Sequence, residues 1–243
     1  MNIIEKIIKK QNSNMDEPSV RIVFLGDSVT QGCFELYTKL DGNIETIFDK
    51  NHTYHGYLAK IFATLYPTVP INCINAGISG DNATHACERL GADVLSYSPD
   101  LVVVCFGLND STAGRDAIGS YTGSLRKIFT EIRNSGSEVM FMTPNMMATE
   151  PSPFTPDAHK GACELCMRTQ NDGTLDFYIE SARELCRKMD VPVCDCYAKW
   201  KLMHKCGVNI TELLANKCNH PTRDMNKLFA YSLAEAILGT YKG

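Results

Sequence analysis

Five short apolar runs punctuate the chain: Arg21–Leu25, Ile71–Ile74, Leu101–Phe106, Glu138–Met142 and Val191–Cys194. Each is rich in β-branched or otherwise apolar residues and reads as a strand. Between them lie amphipathic stretches of helical period, approximately Gly56–Leu65, Asn82–Ser96, Ala117–Asn134, Thr174–Met189 and Thr222–Leu238. In the last, Met225, Leu228, Phe229, Ser232, Leu233, Ala236 and Ile237 recur at three- and four-residue steps and mark one buried face. Strands that alternate with helices imply right-handed crossovers and a mostly parallel sheet covered on both sides. The pattern therefore predicts an α/β fold, a three-layer α/β/α sandwich. In such sheets reactive groups collect outside the carboxyl ends of the strands, where strand order reverses.

Two segments resist this pattern. Residues 1–18 read as an N-terminal helix or arm ending in a polar linker, and residues 19–243 as a single domain. Within that domain, residues 144–173 carry Pro144, Pro151, Pro153 and Pro156 without regular periodicity, so they read as a long loop or lid beside the end of the fourth strand.

Composition narrows the picture. A chain of 243 residues buries roughly 70–75% of the surface its unfolded form exposes, enough for a core without metal or disulfide support. With 44% hydrophobic residues, 21% charged residues and a net charge of −4, it lacks the basic field that nucleic acid requires. Charges at Glu5, Lys6, Lys9 and Lys10 interrupt the apolar residues of the N-terminus, so no signal-peptide core or membrane span is expected, and the protein reads as cytoplasmic. The cysteine count is odd, eleven, and Cys73 and Cys105 lie inside apolar runs, so most are expected to be reduced thiols. Cys163 and Cys166 have the spacing of a redox or zinc pair, but no second pair at matching spacing accompanies them, and no metal is expected. Met140, Met142, Met146 and Met147 are expected to fill the core.

Candidate chemistry sits where the runs end. The first ends in Gly26-Asp27-Ser28, which places a hydroxyl at a strand-to-turn junction close to free backbone amides, as a nucleophilic serine needs; a simple turn explains the tripeptide equally well. The second is followed by Asn75-Ala76-Gly77-Ile78-Ser79-Gly80-Asp81-Asn82, where Gly77 offers an unshielded N–H to a developing oxyanion. The third is followed by Gly107-Leu108-Asn109-Asp110, and the Asn109 amide is a neutral donor at any working pH. Ahead of the last helix, Asn216-Lys217-Cys218-Asn219-His220-Pro221 holds His220, the best general base in the chain. Three polar motifs at the same end of three strands imply one shared cleft.

Taken together, Ser28 in GDSV, Gly77 in NAGISGDN, Asn109 in GLND and His220 in NHP resemble the blocks of the SGNH, or GDSL-type, hydrolase superfamily. The resemblance covers about Arg21 to Leu238. It implies a flavodoxin-like five-stranded sheet of order 2-1-3-4-5, and a serine esterase working through an acyl-enzyme without a cofactor. Ser28 would be the nucleophile and His220 the base, and the Ser28 N–H, Gly77 N–H and Asn109 amide would hold the oxyanion. The resemblance also implies an aspartate three residues before the histidine. Lys217 stands there, is expected to face solvent, and leaves either a carbonyl of the 216–219 loop or Asp195 to orient His220, the carbonyl being the first expectation. The leading expectation is an O-acetylesterase acting on a carbohydrate or other small ester. A lipase-like or thioesterase-like hydrolase for longer chains and a silent binding module are the competing readings. The partner expected is a small-molecule ester, and a homo-oligomer is compatible with the sequence.

Overall fold

A computed structural model describes residues 2–242; Met1 and Gly243, the outermost residues of the two expected units, lie outside the described residues. The elements run α1 (Ile3–Asn12), β1 (Val20–Gly26), α2 (Ser28–Gln31), β2 (Cys33–Thr38), β3 (Ile44–Phe48), α3 (Tyr54–Leu65), β4 (Ile71–Gly77), α4 (Ala83–Asp93), β5 (Leu101–Cys105), α5 (Leu108–Ser111), α6 (Ile118–Asn134), β6 (Glu138–Met142), α7 (Lys160–Asn171), α8 (Thr174–Met189), β7 (Val193–Cys194), α9 (Cys196–Lys205) and α10 (Arg223–Leu238). Strands β1, β4, β5, β6 and β7 form one sheet of order β4-β1-β5-β6-β7, and every neighbouring pair in it is parallel. Counted among these five strands alone, that is the expected 2-1-3-4-5.

The strands are apolar throughout because both faces of the sheet are covered. On β5, Leu101, Val103 and Cys105 face one core, shared with Phe62, Trp200 and Phe229, while Val102 and Val104 face the other, shared with Leu125, Phe129 and Tyr178. The period-two alternation thus divides one strand between two hydrophobic layers. Helix α1 joins the first layer through Ile3, Ile4 and Ile7, and Asn2 caps it by accepting from the Ile4 N–H at 2.9 Å. Met140, Met142, Met146 and Met147 are all buried in that same layer. No helix among the described residues is long and apolar enough to cross a membrane.

Four features depart from the sequence reading, one of them helix α9 over Cys196–Lys205, where no helical stretch was expected. Residues Cys33–Thr38 and Ile44–Phe48 form an antiparallel hairpin outside the main sheet. The 144–173 connection is irregular only in its first part, since α7 occupies Lys160–Asn171. Strand β4 runs on through Gly77, three residues beyond the end of its apolar run, because its register with β1 continues from Ile74 to the Gly26–Gly77 pair.

A buried ionic network holds the carboxyl ends of β1 and β4. Asp27 caps α2 by accepting from the Val29 N–H at 3.0 Å. Burial, together with the nearby carboxylates of Asp110 and Asp81, pushes the Asp27 carboxyl from 3.8 up to about 7. Arg89 of α4 donates from Nε to Asp81 Oδ2 at 2.8 Å, and through its terminal nitrogens to the carbonyls of Ala76 at 2.8 Å and Gly26 at 3.2 Å. One guanidinium therefore ties both strand ends to the turn that follows β4.

Two outcomes test these contacts. A Cβ on Gly77 would lie 2.3 Å from the Gln31 nitrogen and 2.7 Å from the Thr30 carbonyl carbon, whereas one on Gly80, at φ +79°, meets nothing within 4 Å. Gly77→Ala is expected to lower chemical-denaturation stability by roughly 2–3 kcal/mol or more, and Gly80→Ala by about 1 kcal/mol; equal effects would contradict the packing role of Gly77. The Asp27 pKa is higher folded than unfolded, so its contribution to stability is full below about 3.8 and declines as the pH rises toward about 7. Asp27→Asn, which keeps the cap, should therefore be more stable than the parent above about pH 7, on the order of 1–4 kcal/mol, with the difference vanishing toward about pH 4. Thermal denaturation across that range measures it.

Candidate active site

Ser28 opens α2 where β1 ends at Gly26, so its hydroxyl stands at the carboxyl edge of the sheet. His220 comes from the loop before α10, and its Nε2 lies 3.0 Å from the Ser28 Oγ. Its Nδ1 lies 3.1 Å from the backbone carbonyl of Phe34. A carbonyl only accepts, so Nδ1 carries the ring proton and Nε2 is left as the acceptor of the serine proton. Burial pushes the His220 imidazole from 6.5 down to about 4, opposed by the Phe34 carbonyl. The ring is accordingly neutral across the ordinary working range.

The orienting group is thus a backbone carbonyl, as expected, but it belongs to β2 and not to the 216–219 loop. Asp195 does not reach the ring. It accepts from Thr143 Oγ1 at 3.0 Å and from Arg183 at 2.8 Å, and it caps α9. Lys217 adopts a left-handed conformation and pairs with Glu212 at 2.8 Å, with only 18% of its side chain exposed, so its charge sits in an ion pair and not, as expected, out in solvent.

Two devices hold the pair in place. Asn216 Oδ1 accepts from the N–H groups of Cys218 at 3.1 Å, Asn219 at 2.9 Å and His220 at 2.8 Å, folding the loop around one side chain. The hairpin is clamped to the start of α10 by Arg223. Its Nε donates to Asp49 at 2.8 Å, its Nη1 donates to Glu35, and its guanidinium lies 4.4 Å from the centre of the Phe34 ring. The residue three places after His220 therefore anchors the strand whose carbonyl orients that ring.

Asn109 opens on the same cleft and gives one amide proton to the Asp81 carbonyl at 2.8 Å, leaving the second for a ligand. Asp110 fixes the turn around it by accepting from the N–H groups of Ala83 at 2.9 Å and Gly107 at 3.0 Å. Gly77 does not join this group. Its N–H is donated to Asn75 Oδ1 at 2.9 Å, and its missing side chain is the space that α2 occupies. Gly80 lines the cleft instead, and its N–H has no backbone acceptor among the described residues. The physical reason is the extra length of β4, which moves the turn three residues along.

The cleft has a volume of about 350 Å³. Ser28, Gly80, Asn109 and His220 line it, walled by Leu36 and Thr46 of the hairpin and by Ala162, Leu165 and Cys166 of α7. The hairpin escaped the sequence reading because its burial is one-sided and slight; most of β3 is exposed.

Residues 24–228 match the model of the GDSL-like Lipase/Acylhydrolase family. An acetylxylan esterase of Geobacillus stearothermophilus is 26% identical over 133 residues, a match covering 51% of this chain and 59% of that protein, so less than two thirds of its length is matched. The solved structure of an acetylxylan esterase from Geobacillus stearothermophilus superposes with a TM-score of 0.66 at 19% identity, over 90% of this chain and 94% of that one. A two-domain esterase active on acetylated mannans superposes with a TM-score of 0.65 at 18% identity, over 99% of this chain and 53% of that one. With the family model spanning most of its length, the chain belongs to the GDSL-like lipase/acylhydrolase family.

Proposed function

We propose that the chain is a serine carboxylic ester hydrolase that removes small acyl groups, foremost acetyl, from a carbohydrate or other small alcohol. The observation that carries this reading is the 3.0 Å contact between His220 Nε2 and Ser28 Oγ, with the Asn109 amide on the same cleft. The Ser28 Oγ attacks the ester carbonyl while its proton passes to His220 Nε2, and the carbonyl electrons move to an oxyanion. The second Asn109 N–H, the Ser28 N–H and the Gly80 N–H stabilise that charge, with Gly80 in the place first expected of Gly77. Collapse of the intermediate expels the alcohol, which takes the proton from His220, and leaves Ser28 acylated. Water, deprotonated by His220, then releases the carboxylic acid and restores the serine.

The acetyl preference is supported by the acetylated-polysaccharide esterases to which the chain is similar. A longer acyl chain is the second reading, favoured by the apolar wall of Leu36, Ala162 and Leu165. A cytoplasmic setting is supported by the eleven cysteines, all of them free thiols, since a reducing compartment preserves thiols.

Ser28→Ala is expected to lower ester hydrolysis by at least ~10³-fold, with the melting temperature nearly unchanged. Full activity in that variant would falsify the nucleophile assignment. Across p-nitrophenyl esters of increasing length, rates should fall steeply beyond acetate. A maximum at six carbons or longer would replace the acetylesterase reading with the lipase-like one.

A further inference from the structure

Beside the ester-cleaving pair lies a second cluster of chemistry that the proposed reaction does not use. Ligand atoms of His159, Cys163 and Cys218 all lie within 4.8 Å of one another. These residues come from two places far apart in the chain. His159, Cys163 and Cys166 are spaced by four and three residues, which puts all three on one face at the start of α7. Cys218 comes from the loop of His220. The second cysteine pair that a sequence-based zinc site would need is absent, and the fold supplies a single thiol and an imidazole in its place.

The geometry points to a binding site for a thiophilic divalent cation, zinc foremost, held by His159, Cys163 and Cys218. Sulfur and imidazole donors in this number match tetrahedral zinc, and they match poorly the oxygen-preferring magnesium and calcium. The setting suits thiolate ligands. Cys163 lies within the first turns of α7, where the helix dipole favours negative charge. All three cysteines are largely buried, so a cation would offset the charge of thiolates that little water reaches. Each thiol loses its proton to solvent as its bond to the metal forms, and His159 binds as the neutral ring. Entry is open on two sides. Cys163 lines a small cavity of about 90 Å³ beside Lys217 and Glu164, while His159, Cys166 and Cys218 line the main cleft.

The consequence is mechanical. A metal here ties α7, one wall of the cleft, to the loop that presents the base two residues beyond Cys218. That loop is already held by the Cys218 carbonyl, which accepts from the Ala148 N–H at 2.8 Å, and by Asn145, which donates to the Asn219 carbonyl at 2.8 Å.

The test uses the reduced full chain and reads binding, so it stands or falls independently of the esterase assignment. Titration with Zn²⁺ by calorimetry, and with Co²⁺ by absorption, should give one equivalent bound, with thiolate-to-cobalt charge transfer and tetrahedral visible bands. Cys163→Ser and Cys218→Ser should each weaken binding on the order of 100-fold or more, while Cys206→Ser, at an exposed thiol, should bind as the parent does. Should a cysteine variant fail to fold, His159→Ala at the half-buried end of the cluster carries the same expectation. Zn²⁺ should also raise the melting temperature of the parent and slow hydrogen exchange in residues 157–171 and 214–220. No binding by the reduced parent, cobalt spectra without thiolate bands, or undiminished binding in the folded variants would each overturn the site. A Cys163–Cys218 disulfide forming in air in a chain that binds no metal when reduced would overturn it equally, in favour of a redox pair.

Discussion

The site depends on one buried ring held from two directions. The Phe34 carbonyl receives the Nδ1 proton of His220, and the opposite nitrogen is thereby committed to accept from Ser28. In a charge-assisted triad a carboxylate does this orienting work and also stabilises the imidazolium that forms during catalysis. A carbonyl performs the first task fully and the second only through its dipole. Burial pushes the ring down to about 4, and the carbonyl opposes that shift. This favours a base that is always unprotonated at rest, at some cost in its affinity for the proton it must briefly hold.

The carbonyl's position is itself a tertiary product. Phe34 belongs to a hairpin with few buried residues of its own, and Arg223 secures that hairpin through Glu35, Asp49 and the face of the Phe34 ring. Arg223 lies in the first turn of α10 and His220 just before that helix, so the ring and the clamp of its orienting group share one helix end. On the other side of the cleft, Arg89 and Asp81 tie the strand ends to the turn carrying Gly80, and the Asp81 carbonyl takes one proton of the Asn109 amide. The two halves of the cleft are thus each anchored by one arginine.

The parallel sheet was legible because burial on both faces leaves continuous apolar runs, and Glu138–Met142 and Thr174–Met189 match their elements residue for residue. Ser28, Asn109 and His220 were legible because each follows or precedes such a run. Gly77 was misjudged for a stated reason. Asn75, Ala76 and Gly77 are polar or small and carry no strand signal, yet the pairing with β1 extends through them. The hairpin, α7 and α9 were missed for another reason, since their stability comes from packing against distant elements more than from their own periodicity. The Phe34 carbonyl could not be read at all, because a backbone oxygen leaves no mark on the sequence; a carbonyl was expected from the 216–219 loop beside His220, and the acceptor lies 186 residues away.

The central claim is the orientation of His220 by a backbone carbonyl, and nitrogen-15 NMR of its imidazole tests it most directly, with the ring signals assigned by comparison with His220→Gln. At neutral pH the account predicts a neutral ring protonated at Nδ1 and bare at Nε2. A ring protonated at Nε2, or one already carrying both protons, would contradict it.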